Sequence, residues 1–195
     1  MKKKQVKILG LSYSQSQSGS YVVVLSEKKG MRKIPVIIKP ADAQQIAVKL
    51  EGIKSARPLT HDLFKSMTDI FSISLKGIHI YSLLEGIFYS KMVLTNGFED
   101  YDVECTIGDG LALSLVYKCP IWVNEDIIDS SGIIINDDGT QPEDSEEETE
   151  TETKVNITVE DLQHMMENAI ENEEYEIAAQ LRDRISKMKD EKQDK

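Results

Sequence analysis

Ile78-His79-Ile80-Tyr81-Ser82-Leu83-Leu84-Glu85-Gly86-Ile87-Phe88-Tyr89-Ser90-Lys91-Met92-Val93-Leu94 decides how this chain is read. Two runs rich in β-branched and aromatic residues, 71–84 and 87–94, flank the dipeptide Glu85-Gly86, the pattern of an antiparallel hairpin. Gly77 falls where the alternation of apolar residues shifts phase, which marks a β-bulge. Upstream, strands are expected at 5–12, 21–25 and 33–38, with Lys28-Lys29-Gly30 as the turn between the second and third. A helix then runs from Pro40, with Ala43, Ile46, Ala47 and Leu50 at helical spacing and Gly52 as its stop. A second helix begins at Thr60 and carries Leu63, Phe64 and Met67 on one side. Downstream come a strand at 101–106 and a helix at 109–118, packed through Leu111, Ala112 and Leu115 and ended by Pro120. Ile121-Trp122-Val123 follows as a short buried strand or a sheet edge. Strands grouped before and between paired helices, without a βαβ rhythm, define an α+β fold: a mostly antiparallel sheet with about three helices.

The formal net charge of -11 over 195 residues is unevenly spread. Residues 1–136 carry 16 Lys/Arg against 14 Asp/Glu, residues 137–154 carry 1 against 9, and residues 155–195 carry 6 against 11. The stretch 137–153 has no aliphatic or aromatic side chain and buries too little to offset its ordering entropy. The chain therefore divides into an α+β domain over 1–136, an acidic disordered linker over 137–156 and a helical module over 157–190. The near-neutral first domain is compatible with phosphate through a local basic patch, at Lys2, Lys3, Lys4 and Lys7 or at Lys28, Lys29, Arg32 and Lys33. These residues read equally well as solvated strand faces and turns, and no basic stripe announces tight non-specific binding. Cys105 and Cys119 match no zinc or redox spacing and read as buried thiols. The opening Met1-Lys2-Lys3-Lys4 leads into no apolar signal segment, and no run approaches the length needed to span a bilayer, so a cytoplasmic protein without membrane attachment is expected.

Arg57-Pro58-Leu59-Thr60-His61-Asp62 gathers a cation, an imidazole and a carboxylate at a helix start. Pro58 delays the helix, Thr60 reads as its N-cap, and free N–H groups of a first turn favour anions. A cap, a dipole-complementing aspartate and a paired arginine would explain the same residues without chemistry. This block, with Ile46-Ala47-Val48-Lys49-Leu50-Glu51-Gly52 before it and Gly86-Ile87-Phe88-Tyr89-Ser90 after it, resembles the bifunctional nuclease family of bacteria and plants. The resemblance extends over residues 5–133. The family's second block, aspartate-alanine-arginine-proline-serine-aspartate-alanine, is only partly kept: Asp109 matches, Glu104 retains a carboxylate, and Thr106 and Ile107 stand in place of arginine and proline.

The resemblance implies a Mg²⁺- or Mn²⁺-assisted hydrolase of phosphodiester bonds in DNA and RNA. By the chemistry such a reaction needs, Asp62, Glu104 and Asp109 are the expected catalytic and metal-proximal carboxylates and His61 the general acid or base. Arg57 and Thr60 are the expected substrate-binding residues, the guanidinium as a phosphate clamp. Helix-cap chemistry accounts for Asp109 and Thr106 as well, and Glu104 could equally face solvent or pair with Arg57. His79 reads as a sheet histidine. Tyr81, Phe88, Tyr89 and Trp122 read as cross-strand packing, with base stacking as the alternative.

Thr158-Val159-Glu160-Asp161 opens a helix with Leu162, Met165, Met166, Ala169 and Ile170 at helical spacing, and a second helix follows through Tyr175, Ala178, Ala179, Leu181 and Ile185. This pair resembles the UVR motif shared by the B and C subunits of the bacterial excision-repair nuclease, a hairpin that pairs with another copy of itself. The resemblance marks Leu162, Met166, Ala169, Tyr175, Ala178, Ala179, Leu181, Arg182 and Ile185 as partner-docking residues. The alternative is an ordinary hairpin docked on its own domain. The expected function is a DNA/RNA nuclease with a protein-docking hairpin, forming a homo-oligomer through a hydrophobic strand edge and the self-pairing tail. The competing function is a non-catalytic, self-assembling scaffold or adaptor that recruits a repair or regulatory partner.

Overall fold

A computed structural model describes residues 2–14, 19–27, 32–53, 57–134 and 157–193. The 137–156 segment read as a linker and the Lys28-Lys29-Gly30 turn lie outside the described residues. The first part is built of strands β1 (Lys3–Tyr13), β2 (Tyr21–Glu27) and β3 (Arg32–Ile38), then helices α1 (Pro40–Leu50) and α2 (Thr60–Ile70). Strands β4 (Ser74–Leu84), β5 (Ile87–Thr95) and β6 (Asp100–Cys105) precede α3 (Ile107–Tyr117), β7 (Ile121–Asn124), α4 (Glu125–Ser131) and the two-residue β8 (Ile133–Ile134). Helices α5 (Val159–Glu171) and α6 (Tyr175–Gln193) form the C-terminal hairpin.

All eight strands form one sheet in the order β6-β5-β4-β7-β1-β2-β3-β8. Every pairing is antiparallel except β4 with β7. The β4–β5 hairpin closes through Glu85 and Gly86, both at positive φ (50° and 80°), the backbone whose twist matches that of the flanking strands. The register of this pair shifts between Leu75 and Gly77, so the expected bulge is there. Its physical reason is close approach: a Cβ on Gly77 would lie 2.8 Å from the Pro120 carbonyl oxygen, where β7 enters the sheet.

Of the two readings of residues 121–123, the buried strand is the one found: β7 sits between β4 and β1 and joins the two halves of the sheet. The expected count of about three helices rises to four in the first part among the described residues, because α4 also forms, with Ile127 and Ile128 buried against the sheet. The core is continuous across the β-strands, α1 and α3, with Tyr21, Val23, Leu25, Ile46, Ile78 and Leu111 almost wholly inaccessible. Cys105 and Cys119 are free, half-buried thiols, and burial pushes Cys119 up to about 11. Iodoacetamide at pH 8 is therefore expected to label Cys119 slowly in the native protein and quickly in urea, which mass spectrometry of the labelled peptides measures.

The hairpin is docked on the same chain. Val159, Leu162, Met165, Ala169, Ile177, Leu181 and Ile185 are buried and belong to the core cluster of the domain. Asp161 accepts the backbone N–H of Tyr13 at 2.8 Å, and Asn168 donates to the Tyr21 hydroxyl at 3.2 Å. Gln44 donates to Glu174 at 2.8 Å, Arg184 pairs with Glu51 at 2.6 Å, and His164 stacks on Tyr13 at 4.6 Å between ring centroids. Of the residues expected to dock a partner, Leu162, Ala169, Ala178, Leu181 and Ile185 are covered here, Met166 and Ala179 are half-buried, and Tyr175 and Arg182 are exposed.

The strand edge expected to be hydrophobic is mixed. Edge strand β6 alternates Asp100, Asp102 and Glu104 with the exposed Tyr101 and Val103, and its acids oppose pairing with a second copy of itself. Further apolar exposure lies on Leu63, Met67, Ile70 and Phe71 along α2.

Candidate active site

Two helix N-termini meet at one cavity. The α3 end is fixed by Thr106, whose hydroxyl accepts the Asp109 N–H at 3.2 Å and donates to Asp109 Oδ2 at 2.7 Å. The α2 end begins at Thr60 as expected, but Leu59 and not Thr60 is the N-cap, and Asp62 takes the capping role by accepting the Leu59 N–H at 3.3 Å. That frees Thr60 and His61 to line the cavity. His61 Nε2 stands 3.3 Å from Asp109 Oδ1, while its Nδ1 is buried without a partner. The tautomer consistent with both facts has Nε2–H donating to Asp109, so the two carboxylate oxygens are held by Thr106 and His61.

The cavity has a volume of about 950 Å³. Its walls are Ile37, Phe64, Tyr81, Phe88, Tyr89, Met92 and Leu113, with Glu104, Cys105, Thr106 and Asp109 along one side, and no lysine or arginine lines it among the described residues. Glu104 accepts the Tyr81 hydroxyl at 2.8 Å, so of its two expected arrangements the solvent-facing one is found. Lys91 lies over the Tyr81 ring, 5.7 Å from its centroid, and is bound to Asp102 at 2.5 Å.

Two expected site residues, Asp62 and Arg57, are not brought to this cavity. Both oxygens of Asp62 are engaged by Lys49 Nζ, at 2.6 and 2.8 Å, a bridge that ties α1 to α2. Arg57 is exposed and lines a separate cavity of about 350 Å³ with Leu59 and the hairpin residues Glu173, Glu174, Tyr175 and Glu176. The donor set Asp62, Glu104 and Asp109 is therefore not assembled within the chain, and no three His, Cys, Asp or Glu side chains are grouped to hold a metal ion among the described residues. His79 is the sheet histidine expected, buried and bonded through Nε2 to Asn124 Oδ1 at 2.9 Å; burial lowers its pKa.

One acid escaped the sequence reading. Asp42, in the first turn of α1, reads as a dipole-complementing residue, yet its carboxylate packs against Gly108 of α3. Burial raises its pKa, the charge of Asp109 adds to that, and Lys39 and His61 oppose it. Asp42, His61 and Asp109 thus form one electrostatic group from three helices.

An α+β sheet with helices converging on a half-enclosed pocket, followed by a helical hairpin, defines the class. The bifunctional nuclease domain matches residues 23–136 and the UvrB/uvrC motif matches residues 157–191. The chain belongs to the bifunctional nuclease domain family. It is 31% identical over 137 residues to an uncharacterised protein of Mycobacterium tuberculosis, covering 70% of this chain and 81% of that one. It is 23% identical over 130 residues to bifunctional nuclease 1 of Oryza sativa subsp. japonica, covering 65% of this chain and 38% of that protein. No helix among the described residues is long and apolar enough to cross a membrane.

Proposed function

We propose that this protein is a nuclease that hydrolyses phosphodiester bonds in DNA or RNA at the cavity between α2 and α3. The observation that carries the reading is the Thr106–Asp109–His61 chain at the mouth of that cavity. Asp109 is about half exposed and held at both oxygens, which suits it to accept a proton from an attacking water. His61 orients it and holds a proton at Nε2 beside the reacting centre. The N–H groups at the two helix starts favour a phosphate there. Family membership supports nucleic acid as the substrate, and the UvrB/uvrC motif supports a protein partner for the hairpin.

The test incubates purified protein with single-stranded and duplex DNA and RNA, in Mg²⁺, Mn²⁺ or chelator. Asp109→Asn is expected to lower cleavage on the order of 10²-fold or more, and His61→Ala by a similar factor. Asp62→Asn, which weakens the Lys49 bridge but keeps an amide oxygen able to accept the Leu59 N–H, is expected to keep its rate per folded molecule. Equal cleavage by wild type and Asp109→Asn would identify a contaminant and overturn the proposal.

The scaffold reading has its own support in the exposed α2 stripe of Leu63, Met67, Ile70 and Phe71. It requires a homo-oligomer in light scattering that Met67→Glu converts to monomer, together with no cleavage of any substrate.

A further inference from the structure

We infer that the cavity takes an unpaired nucleobase, not the phosphate backbone, along its aromatic side, and that Glu104 selects guanine there. The inference rests on the proposed nuclease reading for its substrate class but is tested without cleavage. Charge decides which part of a nucleotide fits. Glu104 and Asp109 stand on the wall, no lysine or arginine lines it among the described residues, and Lys91, which lies over the Tyr81 ring, is bound to Asp102, so a phosphate pushed deep into the cavity meets repulsion with little compensation. A base carries no such penalty, and the walls suit one: Tyr81 and Tyr89 both line the cavity, with ring centroids 6.4 Å apart, and Tyr89 remains 40% exposed. The volume of about 950 Å³ leaves room for a base and its sugar.

The polar group at the edge of this aromatic pair is a carboxylate, held in place because Tyr81 donates its hydroxyl to Glu104 Oε1 at 2.8 Å. A carboxylate accepts hydrogen bonds and donates none. Guanine alone among the common bases presents two adjacent donors, N1–H and the N2 amino group, that a carboxylate accepts side by side. Uracil and thymine present one N–H flanked by two carbonyl oxygens, which a carboxylate repels. Glu104→Gln tests the point sharply, because the amide replaces one acceptor by a donor that meets guanine N1–H head-on.

The experiment titrates the intact protein with guanosine, adenosine, cytidine and uridine by calorimetry, in chelator so that no turnover intrudes. Guanosine is expected to bind at least tenfold more tightly than uridine. Glu104→Gln is expected to remove most of that difference, while Tyr89→Ala weakens all four nucleosides to a similar degree. Both positions are on exposed strand faces, and circular dichroism verifies that the variants fold. Equal affinity for guanosine and uridine, or unchanged selectivity in Glu104→Gln, overturns the inference. Selective binding without cleavage in the preceding assay would sink the nuclease reading and leave the base site standing. Cleavage without base selectivity would do the reverse.

Discussion

Gly108→Ala is expected to destabilise the protein by about 3 kcal/mol, seen as a lower midpoint in urea with an unchanged slope. A Cβ at this position would lie 2.2 Å from Asp42 Oδ2, 2.4 Å from its Cγ and 2.7 Å from its Cβ. Rotating the Asp42 side chain relieves the first two contacts but not the third, so α1 and α3 must move apart. Separation of these helices also disturbs the cavity, because α3 carries Asp109 and α1 holds α2 through the Lys49–Asp62 bridge. Gly110→Ala, two residues on, is the control: its Cβ would meet Ile78 Cγ2 at 3.1 Å and Cys105 Sγ at 3.4 Å, contacts that a shift of a few tenths of an ångström in these side chains relieves. The gain in helix propensity, up to about 1 kcal/mol, offsets that contact and leaves stability nearly unchanged. Equal losses at 108 and 110 would mean that the Asp42 contact is not what the glycine accommodates.

Tyr21→Ala is expected to cost about 3–5 kcal/mol, the range for removing a large aromatic side chain from a packed core. Tyr21 is wholly buried in β2, stands edge-on to Tyr13 at 5.4 Å between centroids, and accepts from Asn168 of α5 through its hydroxyl. Burial pushes that phenol up to about 12. The residue therefore links domain and hairpin, and its loss is expected to speed tryptic cleavage at Arg182 and Arg184 well beyond the rate in Tyr21→Phe. The phenylalanine variant loses only the bond to Asn168, a cost of about 1 kcal/mol. If the alanine variant keeps wild-type protease resistance in α6, the hairpin is held by other contacts.

What was legible in the sequence was local. The β4–β5 hairpin was readable because its alternation is long and Glu85-Gly86 permits positive φ at both turn positions. Helix α3 was readable from about Asp109, and its true start lies two residues earlier because Thr106 is the cap. Helix α5 announced itself through Thr158 and Asp161, which exchange hydrogen bonds as a capping box. What failed was set by distance. Four residues of β7 carry no mark that they pair in parallel with β4, since that pairing depends on where α3 delivers the chain. Asp62 looked like a metal ligand because nothing local reveals that Lys49, one helix earlier, already neutralises it. Arg57 was misplaced for a related reason: its block has the right residue types, but the turn before Leu59 aims the cation at the hairpin side. The apolar stripe of the C-terminal helices declared a need for cover without naming what supplies it.

Asp161 caps α5 with one oxygen and accepts the Tyr13 N–H with the other, so the motif that resembles a recruiting device spends its resting life fastened to its own chain. An incoming protein that wants the same apolar stripe meets it only in molecules whose helices have come loose, and its apparent affinity falls by that fraction. About 1.4 kcal/mol of self-attachment weakens capture about tenfold. A protein able to bind this stripe would have to offset the hairpin's own attachment through tighter contacts or higher abundance, with its binding curve shifted and not steepened.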